Sequence, residues 1–535
     1  MKYLMAICGC LLSLLVSTSA LAASPSEAQQ PLLMQLTEVK LSKALPVLQQ
    51  LEASTGADMM PLFKTMLAGK LYYVKESRSL IVVSKEQGET RYTGLFSAAP
   101  RDDLSKKQVK KIKVNNKLRG YLRESIARMQ LHHSDPEVRV EAVRSLFSDL
   151  DAPTVELIRT ARLDEQSRSV QAVMDVALAM DRAEHSEDAT ARLQAVKALY
   201  GSLEPAVRNQ LTKLAENDPS GSVRKAAQKG LDKIAKQAER YNFVNQLFFG
   251  LSLGSVLLLA AIGLAITFGV MGVINMAHGE MIMLGAYTTY VVQLMLPNMI
   301  EYSLWIAVPL AFMVSGLAGV LIERLVIRHL HGRPLETLLA TFGISLILQQ
   351  LVRSVFSPLN RQVATPDWMS GSIEINPLLS LTLNRLYIVA FALLVFMLLL
   401  LVLKKTSLGL NVRAVSQNRD MAKAMGIRTD RVDAMTFGLG SGIAGIAGVA
   451  LSQLTNVGPN LGQAYIIDSF MVVVFGGVGN LWGTLVAAFT LGIANKFIEP
   501  VTGAVLASIL VLVFIILFIQ KRPKGLFPQK GRAAE

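Results

Sequence analysis

The 535-residue sequence has only two cysteines, Cys8 and Cys10, and both lie in an apolar stretch near its start. This stretch has the order of a secretory signal peptide: Lys2, then an apolar region from Leu4 to Val16, then the small-residue site Ala20-Leu21-Ala22. Cleavage there leaves a mature chain without cysteine, which excludes disulfides, thiol catalysis and cysteine-ligated zinc. The alternative, an uncleaved anchor, is disfavoured because the apolar run is short for a membrane span.

Motifs for nucleotide and metal chemistry are also missing. The sequence has no Gly-x-x-x-x-Gly-Lys-Ser/Thr loop, so we expect no nucleotide-binding site in this chain. It has no His-Glu-x-x-His motif either. His132 and His133 are adjacent near a predicted helix start, and we expect exposed side chains there rather than metal ligands. We therefore predict that the chain is not an enzyme and binds no metal or cofactor itself.

What the sequence does have is an uneven distribution of charge. The net charge is +14, the charged residues are concentrated before residue 241, and the long apolar runs follow it. We predict a signal peptide (1–22), a mostly helical periplasmic domain (23–238) and a transmembrane domain (239–530). Basic membrane loops explain the positive charge better than nucleic acid does. The basic run Lys106–Arg119 has no interleaved aromatic residue and predicts a solvated helix face.

The region before residue 241 contains an internal repeat. The segments VRVEA, ARLQA and VRKAA begin at Val138, Ala191 and Val223, at offsets of 53 and 32 residues. Asp-Pro precedes the first and third segments, and proline suits the first turn of a helix. The pattern resembles HEAT-like repeats, which predicts stacked helix pairs with a concave face. Residues 71–95 instead predict short strands around polar turns.

After residue 241 the sequence predicts an all-α polytopic membrane domain with eight or nine spans. Eight apolar segments suit a crossing, near 247–270, 281–296, 304–322, 338–356, 386–403, 434–454, 484–498 and 502–519. A ninth, Ile466–Gly479, is shorter and predicts either a crossing or a re-entrant segment. Five glycines between Gly438 and Gly448 predict either close helix packing or a mobile gate.

Loop charge predicts the orientation of this domain. The loop around Arg324–Arg333, the segment Lys404–Arg431 and the tail Lys521–Arg532 are basic and are expected in the cytoplasm. The loops near 297–303 and 457–465 have no Lys or Arg and are expected in the periplasm. A periplasmic domain before the first span leads to the same assignment. A cytoplasmic tail then requires an odd number of crossings of the bacterial inner membrane.

Polar residues within the apolar segments are candidates for a solute pathway, because polar groups in a membrane interior are functional by default. These candidates are Asn275, His278, Glu280, Gln349, Asn456 and Asp468. For His278 and Glu280, a structural role such as capping a broken helix is the alternative. These two residues are two positions apart and do not share a helix face, so a metal site is not expected there.

Three motifs resemble a known family. GVMGVINMAHGEMIMLGAY (Gly269–Tyr287), GRPLETLLATFGISLILQQLVRSVF (Gly332–Phe356) and VVFGGVGNLWGTLVAA (Val473–Ala488) are similar to permease subunits of bacterial ABC importers for branched-chain amino acids and urea. The resemblance covers residues 241–530. The secreted extension before it is similar to that of the B-type permease of urea importers, so the resemblance implies urea as the solute. A branched-chain amino acid importer is the nearest alternative, and a passive channel with a periplasmic domain is an alternative of another class.

The resemblance also implies partners and a contact with an ATPase. Permeases of this kind dock on their ATPases through a cytoplasmic helix with a Glu-Ala-Ala-x-x-x-Gly pattern, and Asp420–Gly426 occupies that position, with Ala422 and Gly426 at the matching spacing. Asp420 departs from the pattern but is counted with the coupling residues. Arg413, Arg419 and Lys423 are expected to set the register of docking, and Ala422 and Ala424 to permit close approach. The implied partners are a second homologous permease, two ABC ATPase subunits that bind ATP and Mg, a periplasmic solute-binding protein and the lipid bilayer. No nucleic acid is expected.

Thiol labelling tests the predicted orientation. Because the mature chain is expected to have no cysteine, Lys225→Cys and Lys423→Cys each introduce a single thiol. In intact spheroplasts an impermeant maleimide should label the first variant and not the second, and both should react once the membrane is opened. The reverse pattern would contradict the orientation.

Overall fold

The computed structural model describes Ser26 and residues 29–39, 41–54, 59–86, 89–97, 99–101, 103–105, 107–148 and 150–527. The expected signal peptide and both cysteines lie outside the described residues. The chain divides into two compact units, with the boundary between Ala235 and Lys236. This boundary falls inside a long helix, Gly221–Met271, which contributes residues to both units.

The first unit begins with helices and a small sheet. The elements are helices α1 (Gln29–Glu38), α2 (Ala44–Ala53), α3 (Met60–Leu67) and α4 (Asn116–Gln130), and strands β1 (Leu71–Val74), β2 (Leu80–Glu86), β3 (Glu89–Gly94) and β4 (Val109–Lys111). The strands are antiparallel in the order β3-β2-β1-β4. Leu48, Phe63 and Leu122 are among the fully buried residues that join the helices to the sheet. The strands predicted within 71–95 are therefore confirmed.

The basic run that starts at Lys106 differs from its prediction. It contains strand β4, which pairs with β1 through Tyr72 and Lys111, and helix α4 begins only at Asn116. Ile112, just after the strand, is buried in the core of this part of the unit. Its neighbours Lys110 and Lys111 are exposed. The lysines of this strand are thus solvated, as expected, but on a strand edge rather than on a helix face.

The rest of the first unit is a stack of helices: α5 (Pro136–Leu146), α6 (Ala152–Asp164), α7 (Arg168–His185), α8 (Ala189–Ala198), α9 (Pro205–Asn217) and the start of α10 (Gly221–Met271). The three predicted repeats place their arginines in one recurring contact. Nη1 of Arg139, Arg192 and Arg224 donates to the carbonyl oxygen six residues earlier, at 2.6, 3.0 and 2.6 Å. Gln171 makes the equivalent bond to the Glu165 carbonyl at 2.5 Å. The contact therefore occurs four times, at spacings of 32, 21 and 32 residues, and the second copy explains the irregular offset of 53.

Ion pairs connect these copies. Arg139 Nε lies 2.7 Å from Glu165, and Arg192 Nε lies 2.9 Å from Asp218, in both cases 26 residues along the chain. Hydrogen bonds from Arg139 hold the pKa of Glu165 below its usual value. Burial raises the pKa of Asp218, but hydrogen bonds from Arg192 outweigh it and the net shift is downward. Both pairs therefore stabilise the unit at neutral pH, and that contribution is lost as the pH falls through the lowered pKa values.

The second unit is a bundle of helices with one hairpin. Its elements after α10 are α11 (His278–Met295), α12 (Ile300–Leu325), α13 (Pro334–Phe356), β5 (Ser372–Asn376), β6 (Leu379–Thr382), α14 (Leu383–Lys405), α15 (Ser407–Gln417), α16 (Arg419–Ala424), α17 (Thr429–Ser452), α18 (Leu461–Gly476), α19 (Leu481–Thr502) and α20 (Ala504–Lys521). Among the described residues, seven helices are long and apolar enough to cross a membrane: α10, α12, α13, α14, α17, α19 and α20. The sequence predicted eight or nine. The difference is α11, which starts with polar residues, and α18, which has 16 residues.

One end of the bundle carries the basic loops. The Arg419–Asp433 ion pair joins α16 to the start of α17 there. Lys404 and Asn480 line one cavity, so the turn after α18 lies at the same end. The Leu526 N–H donates to the last turn of α18 at 2.9 Å, which brings the C-terminal segment to this end as well. We call it the basic end, and it comprises residues 326–333, 404–428, 477–480 and 521–527.

The opposite end is held by contacts between the remaining loops. Arg361 and Val457 form an isolated β-bridge between the segments that follow α13 and α17. Trp368 Nε1 donates to Glu301 O at 3.0 Å. The opposite end thus comprises residues 296–303, 357–382 and 453–460. Helix α18 follows the last of these segments and ends at the basic end, so this part of the chain passes from one end to the other instead of turning back.

The central helix α17 packs through its glycines. A Cβ on Gly445 would lie 2.5 Å from Ala311 O, and one on Gly448 would lie 2.0 Å from Ile282 O. Glycine allows backbones to approach this closely, which matters where lipid gives no hydrophobic drive for helix association. Of the two roles that the sequence left open for these glycines, the contacts support close packing.

Gly445→Ala should destabilise the bundle, because the added methyl group meets backbone that cannot move aside. The expected cost is about 1–3 kcal/mol. Gly343→Ala on α13 is the matched control, since a Cβ there would meet nothing within 4 Å. Thermal unfolding of the purified chain in detergent measures both. Equal midpoints for the two variants would contradict the packing role.

Candidate functional site

Four of the six predicted pathway residues come together around the start of α11. They are Asn275, His278, Glu280 and Gln349, and all are almost fully buried. Asn456 lies elsewhere, exposed in the turn after α17 at the opposite end. Asp468 is partly buried on α18 near Tyr465, and none of the described hydrogen bonds links it to the other four. The structure therefore separates Asn456 from the four, and it gives Asp468 no described hydrogen bond to them.

Helix α11 begins inside the bundle rather than at its end. Helix α10 stops at Met271, and the chain then runs without regular structure to His278, the first residue of α11. The His278 ring contacts Ala260 O through Nε2 at 2.9 Å, and this nitrogen donates. Ala260 lies 11 residues before the end of α10, about 16 Å at the helical rise of 1.5 Å per residue. His278 thus holds the start of α11 deep within the helices.

Local polar groups satisfy the backbone at this break. Asn275 Oδ1 accepts from the Ala277 N–H at 3.0 Å, and Thr341 Oγ1 accepts from the Met276 N–H at 3.2 Å. Helix α18 starts alongside, because a Cβ on Gly279 would lie 2.5 Å from the carbonyl of the glycine at 462. Two helix starts therefore meet in the interior of the bundle.

Glu280 lies in the first turn of α11 and is 1% exposed. Its Oε1 accepts from Ser345 Oγ at 2.9 Å and from Gln349 Nε2 at 2.7 Å. Its Oε2 has no hydrogen-bond partner among the described residues. A buried carboxylate oxygen without a donor is costly, and the positive end of the α11 dipole offsets part of that cost. The centre of the site thus offers an unused hydrogen-bond acceptor.

A polar face of α13 borders this acceptor. Its residues recur every four positions: Thr341, Ser345, Gln349 and Arg353. That spacing places side chains on one face of a helix. The positive charge of Arg353 acts on Glu280 from the next turn beyond Gln349. Only Gln349 was identified from the sequence, although the four-residue spacing in an apolar segment was a usable signal for the other three. We call Asn275, His278, Glu280, Ser345, Gln349 and Arg353 the Glu280 cluster.

The predicted ATPase contact has a defined shape. Helix α16 has six residues, and Asn418 caps its start by accepting from the Met421 N–H at 2.9 Å. Gly426 follows its end with φ +86°, a conformation that favours glycine. The Ile427 N–H returns to Ala422 O at 3.0 Å, which closes the helix end. We call residues 407–428, which include α15 and α16, the coupling segment.

The structure corrects the roles expected for several residues of the coupling segment. Ala422 is 5% exposed and packs in the core of its own chain, so it is not available for close approach to a partner. Arg419 pairs with the buried Asp433, and Arg413 donates to Leu403 O, so both arginines hold the segment to its own bundle. Asp420 is exposed, as docking requires.

The surface that the coupling segment offers is partly apolar. Met421 is 60% exposed and Met425 is 77% exposed, with Asp420 and Lys423 beside them. Methionine is flexible and polarisable, and it adapts to a partner surface. The sequence alone does not reveal that either methionine is exposed, because their burial depends on which face α16 turns towards α17.

One sequence motif in α10 has the spacing of a serine hydrolase. Gly250-Leu-Ser252-Leu-Gly254 fits Gly-x-Ser-x-Gly, whose serine must stand on a sharp strand-to-helix turn. Here the motif is continuous helix, and Ser252 is fully buried. Cβ atoms on the two glycines would lie 2.7 and 2.8 Å from the Cα atoms of Ile493 and Phe489. The glycines thus serve contact with α19.

The sequence of the second unit matches a described family. Residues 246–519 match “Branched-chain amino acid transport system / permease component”, and this range is just over half of the chain. The chain belongs to this permease family. The matched range contains both the Glu280 cluster and the coupling segment, and it leaves the first unit outside.

Curated relatives of this permease family align over the same part of the chain. The high-affinity branched-chain amino acid transport system permease protein LivH of Salmonella typhimurium is 30% identical over 295 residues, which are 53% of this chain and 95% of the relative. LivH of Escherichia coli (strain K12) gives the same values. The corresponding protein BraD of Pseudomonas aeruginosa is 29% identical over 301 residues, 54% of this chain and 96% of the relative. No solved structure matches.

Replacing the exposed methionines tests the coupling segment. The double variant Met421→Gln with Met425→Gln keeps side-chain length and removes apolar contact area, so we expect at least about tenfold less ATPase to co-purify with the chain. Leu335→Gln is the control, because Leu335 is 82% exposed in the first turn of α13, directly after the basic end, and lies outside the coupling segment. Unchanged co-purification of the double variant would exclude this surface as the docking site.

Proposed function

We propose that the chain is the membrane-spanning permease subunit of an ATP-driven importer and that its solute is a branched-chain amino acid. The observation that supports this choice of solute is the buried Glu280 carboxylate, which has one oxygen without a hydrogen-bond partner and faces a polar stripe on α13. The observation that carries the class is membership of the permease family.

The Glu280 cluster suits a zwitterion. The free Oε2 of Glu280 would accept from an ammonium group, and Arg353, one turn beyond Gln349, would pair with a carboxylate, although it also donates to Asn460 Oδ1 at 2.7 Å. An apolar cluster that includes Met283, Val352 and Leu461 lies on α11, α13 and α18 and would provide the contact surface for an aliphatic side chain. Opposite charges flanking an apolar surface match the three parts of leucine, isoleucine or valine.

Urea, which the sequence favoured as the solute, is now the second candidate, and the observation that favours it is the first unit. This unit lies outside the family match and outside the residues aligned with the curated relatives. The secreted extension was the reason to expect urea. The Glu280 cluster does not favour it, because urea is uncharged and an amide pair would suit it better than a buried carboxylate.

The energy for transport comes, in this proposal, from ATP bound with Mg by two separate ATPase subunits. They dock on the coupling segment, whose exposed Met421 and Met425 a passive channel would not require. A second homologous permease completes the pathway, and a periplasmic binding protein delivers the solute. The basic end then faces the cytoplasm of the bacterial inner membrane, and the opposite end and the first unit face the periplasm.

Uptake of labelled leucine and labelled urea tests the proposal in cells that contain the chain with its partner subunits. We expect leucine to accumulate and Glu280→Gln to reduce the uptake by about tenfold or more, because a neutral amide does not pair with an ammonium group. Glu323→Gln is the matched control, since Glu323 is equally buried, on α12. If urea accumulates instead, an amide at 280 should be tolerated. Leucine uptake that survives Glu280→Gln would remove the cluster from the pathway.

A further inference from the structure

A cavity of about 550 Å³ opens at the basic end, apart from the Glu280 cluster. Its walls are the ends of α10 and α14, the helix α15 and the turn that leads into α19. Ile266 and Val270 of α10 and Leu400 and Leu403 of α14 make most of this surface apolar. Both α10 and α14 are long and apolar enough to cross a membrane. The cavity therefore lies between two helices of spanning length, at the level where they end.

The rim of this cavity is positively charged. Lys404 and Arg413 both line it and are exposed, and no acidic side chain is among its lining residues. Trp482 is 53% exposed, and its ring meets the Phe396 ring edge-on at 5.4 Å. Tryptophan with an apolar body and a polar N–H is enriched at the membrane interface. The rim thus combines two cations with an interfacial aromatic ring.

The positions of the two cations are fixed by the backbone. Helix α15 folds back against the end of α14, and a Cβ on Gly409 would lie 2.0 Å from Leu403 O. Arg413 Nη1 donates to the same carbonyl group, and the Gly409 N–H donates to Thr406 Oγ1 at 3.3 Å. The guanidinium of Arg413 is therefore held at the end of α14, where Lys404 lies. The charge at the rim is built into the fold.

We propose that this cavity binds one anionic phospholipid from the surrounding bilayer. Its acyl chain lies against the apolar walls, and its phosphate group lies between Lys404 and Arg413. A basic pocket between spanning helices is the kind of site that selects anionic headgroups, and charge complementarity excludes zwitterionic lipid as an equal ligand. The lipid also bridges α14 to α15, the first helix of the coupling segment. Membrane composition thereby influences how firmly the coupling segment is held.

Trp482 serves as the reporter for this site. The chain has three tryptophans, and Trp305 and Trp368 are paired at the opposite end, with ring centroids 6.4 Å apart. Replacing these two with phenylalanine leaves Trp482 as the single emitter. The purified chain is reconstituted in vesicles that contain brominated phosphatidylglycerol or brominated phosphatidylcholine at the same mole fraction. Quenching of the Trp482 fluorescence should be several-fold stronger in vesicles with brominated phosphatidylglycerol. Inorganic phosphate added to the vesicles with brominated phosphatidylcholine should not change the quenching there.

Two charge variants and their control decide the outcome. Lys404→Gln and Arg413→Gln should each reduce the preference for phosphatidylglycerol by about fivefold. The control pair Lys423→Gln with Arg428→Gln removes exposed cations of the same end outside the cavity and should keep the preference. If Arg413→Gln loses helical structure, Lys404→Gln alone decides, because its side chain is exposed. Equal quenching by both lipids, or the same loss of preference in the control pair, would overturn the site.

Discussion

A helix that starts inside an apolar bundle leaves N–H groups that water cannot reach, and the second unit is organised around one such start. At the break before α11, Asn275 accepts a hydrogen bond from the Ala277 N–H, and Thr341 accepts one from the Met276 N–H. The His278 ring donates a hydrogen bond to α10. These polar groups are therefore used by the backbone. Asn275 Nδ2, His278 Nδ1 and Glu280 Oε2 have no hydrogen-bond partner among the described residues, and the proposed solute contact rests on Oε2 because a carboxylate accepts from an ammonium group.

The same constraint explains the glycines around the break. Two helix starts can lie side by side only if their backbones touch, and Gly279 on α11 meets α18 with no space for a methyl group. Glycine in a helix interior costs about 0.5–1 kcal/mol relative to alanine. That cost is repeated along α17, whose glycines contact α10, α11 and α12. Close packing of backbone thus replaces the large side chains that would fill the core of a soluble protein.

Much of the architecture followed from one-dimensional patterns, and the failures have a common cause. Hydropathy located the spanning helices, and the spacing of VRVEA-like segments located the stacked helices of the first unit. The repeat at Gln171 was not recognised from the sequence, because a glutamine there makes the hydrogen bond that an arginine makes in the other copies. The burial of Ala422, the ion pair of Arg419 and the exposure of Met421 did not follow from the sequence, because a sequence does not say which face of a six-residue helix turns inward. Ser345 and Arg353 were not identified as site residues, because they come near Glu280 only when α13 packs against the start of α11.

Helix α17 connects the two candidate functions. At the basic end its Asp433 is paired with Arg419 of the coupling segment, and further along Gly448 lies against Ile282, two residues after Glu280. The contact at Asp433 is an ion pair on a buried carboxylate, so the coupling segment cannot shift without moving α17 or leaving that charge unpaired. The backbones are in direct contact at Gly448, so α17 cannot tilt there without displacing α11 or separating the two helices. A movement imposed at the basic end would therefore reach the helix start that holds Glu280 through a single rigid element.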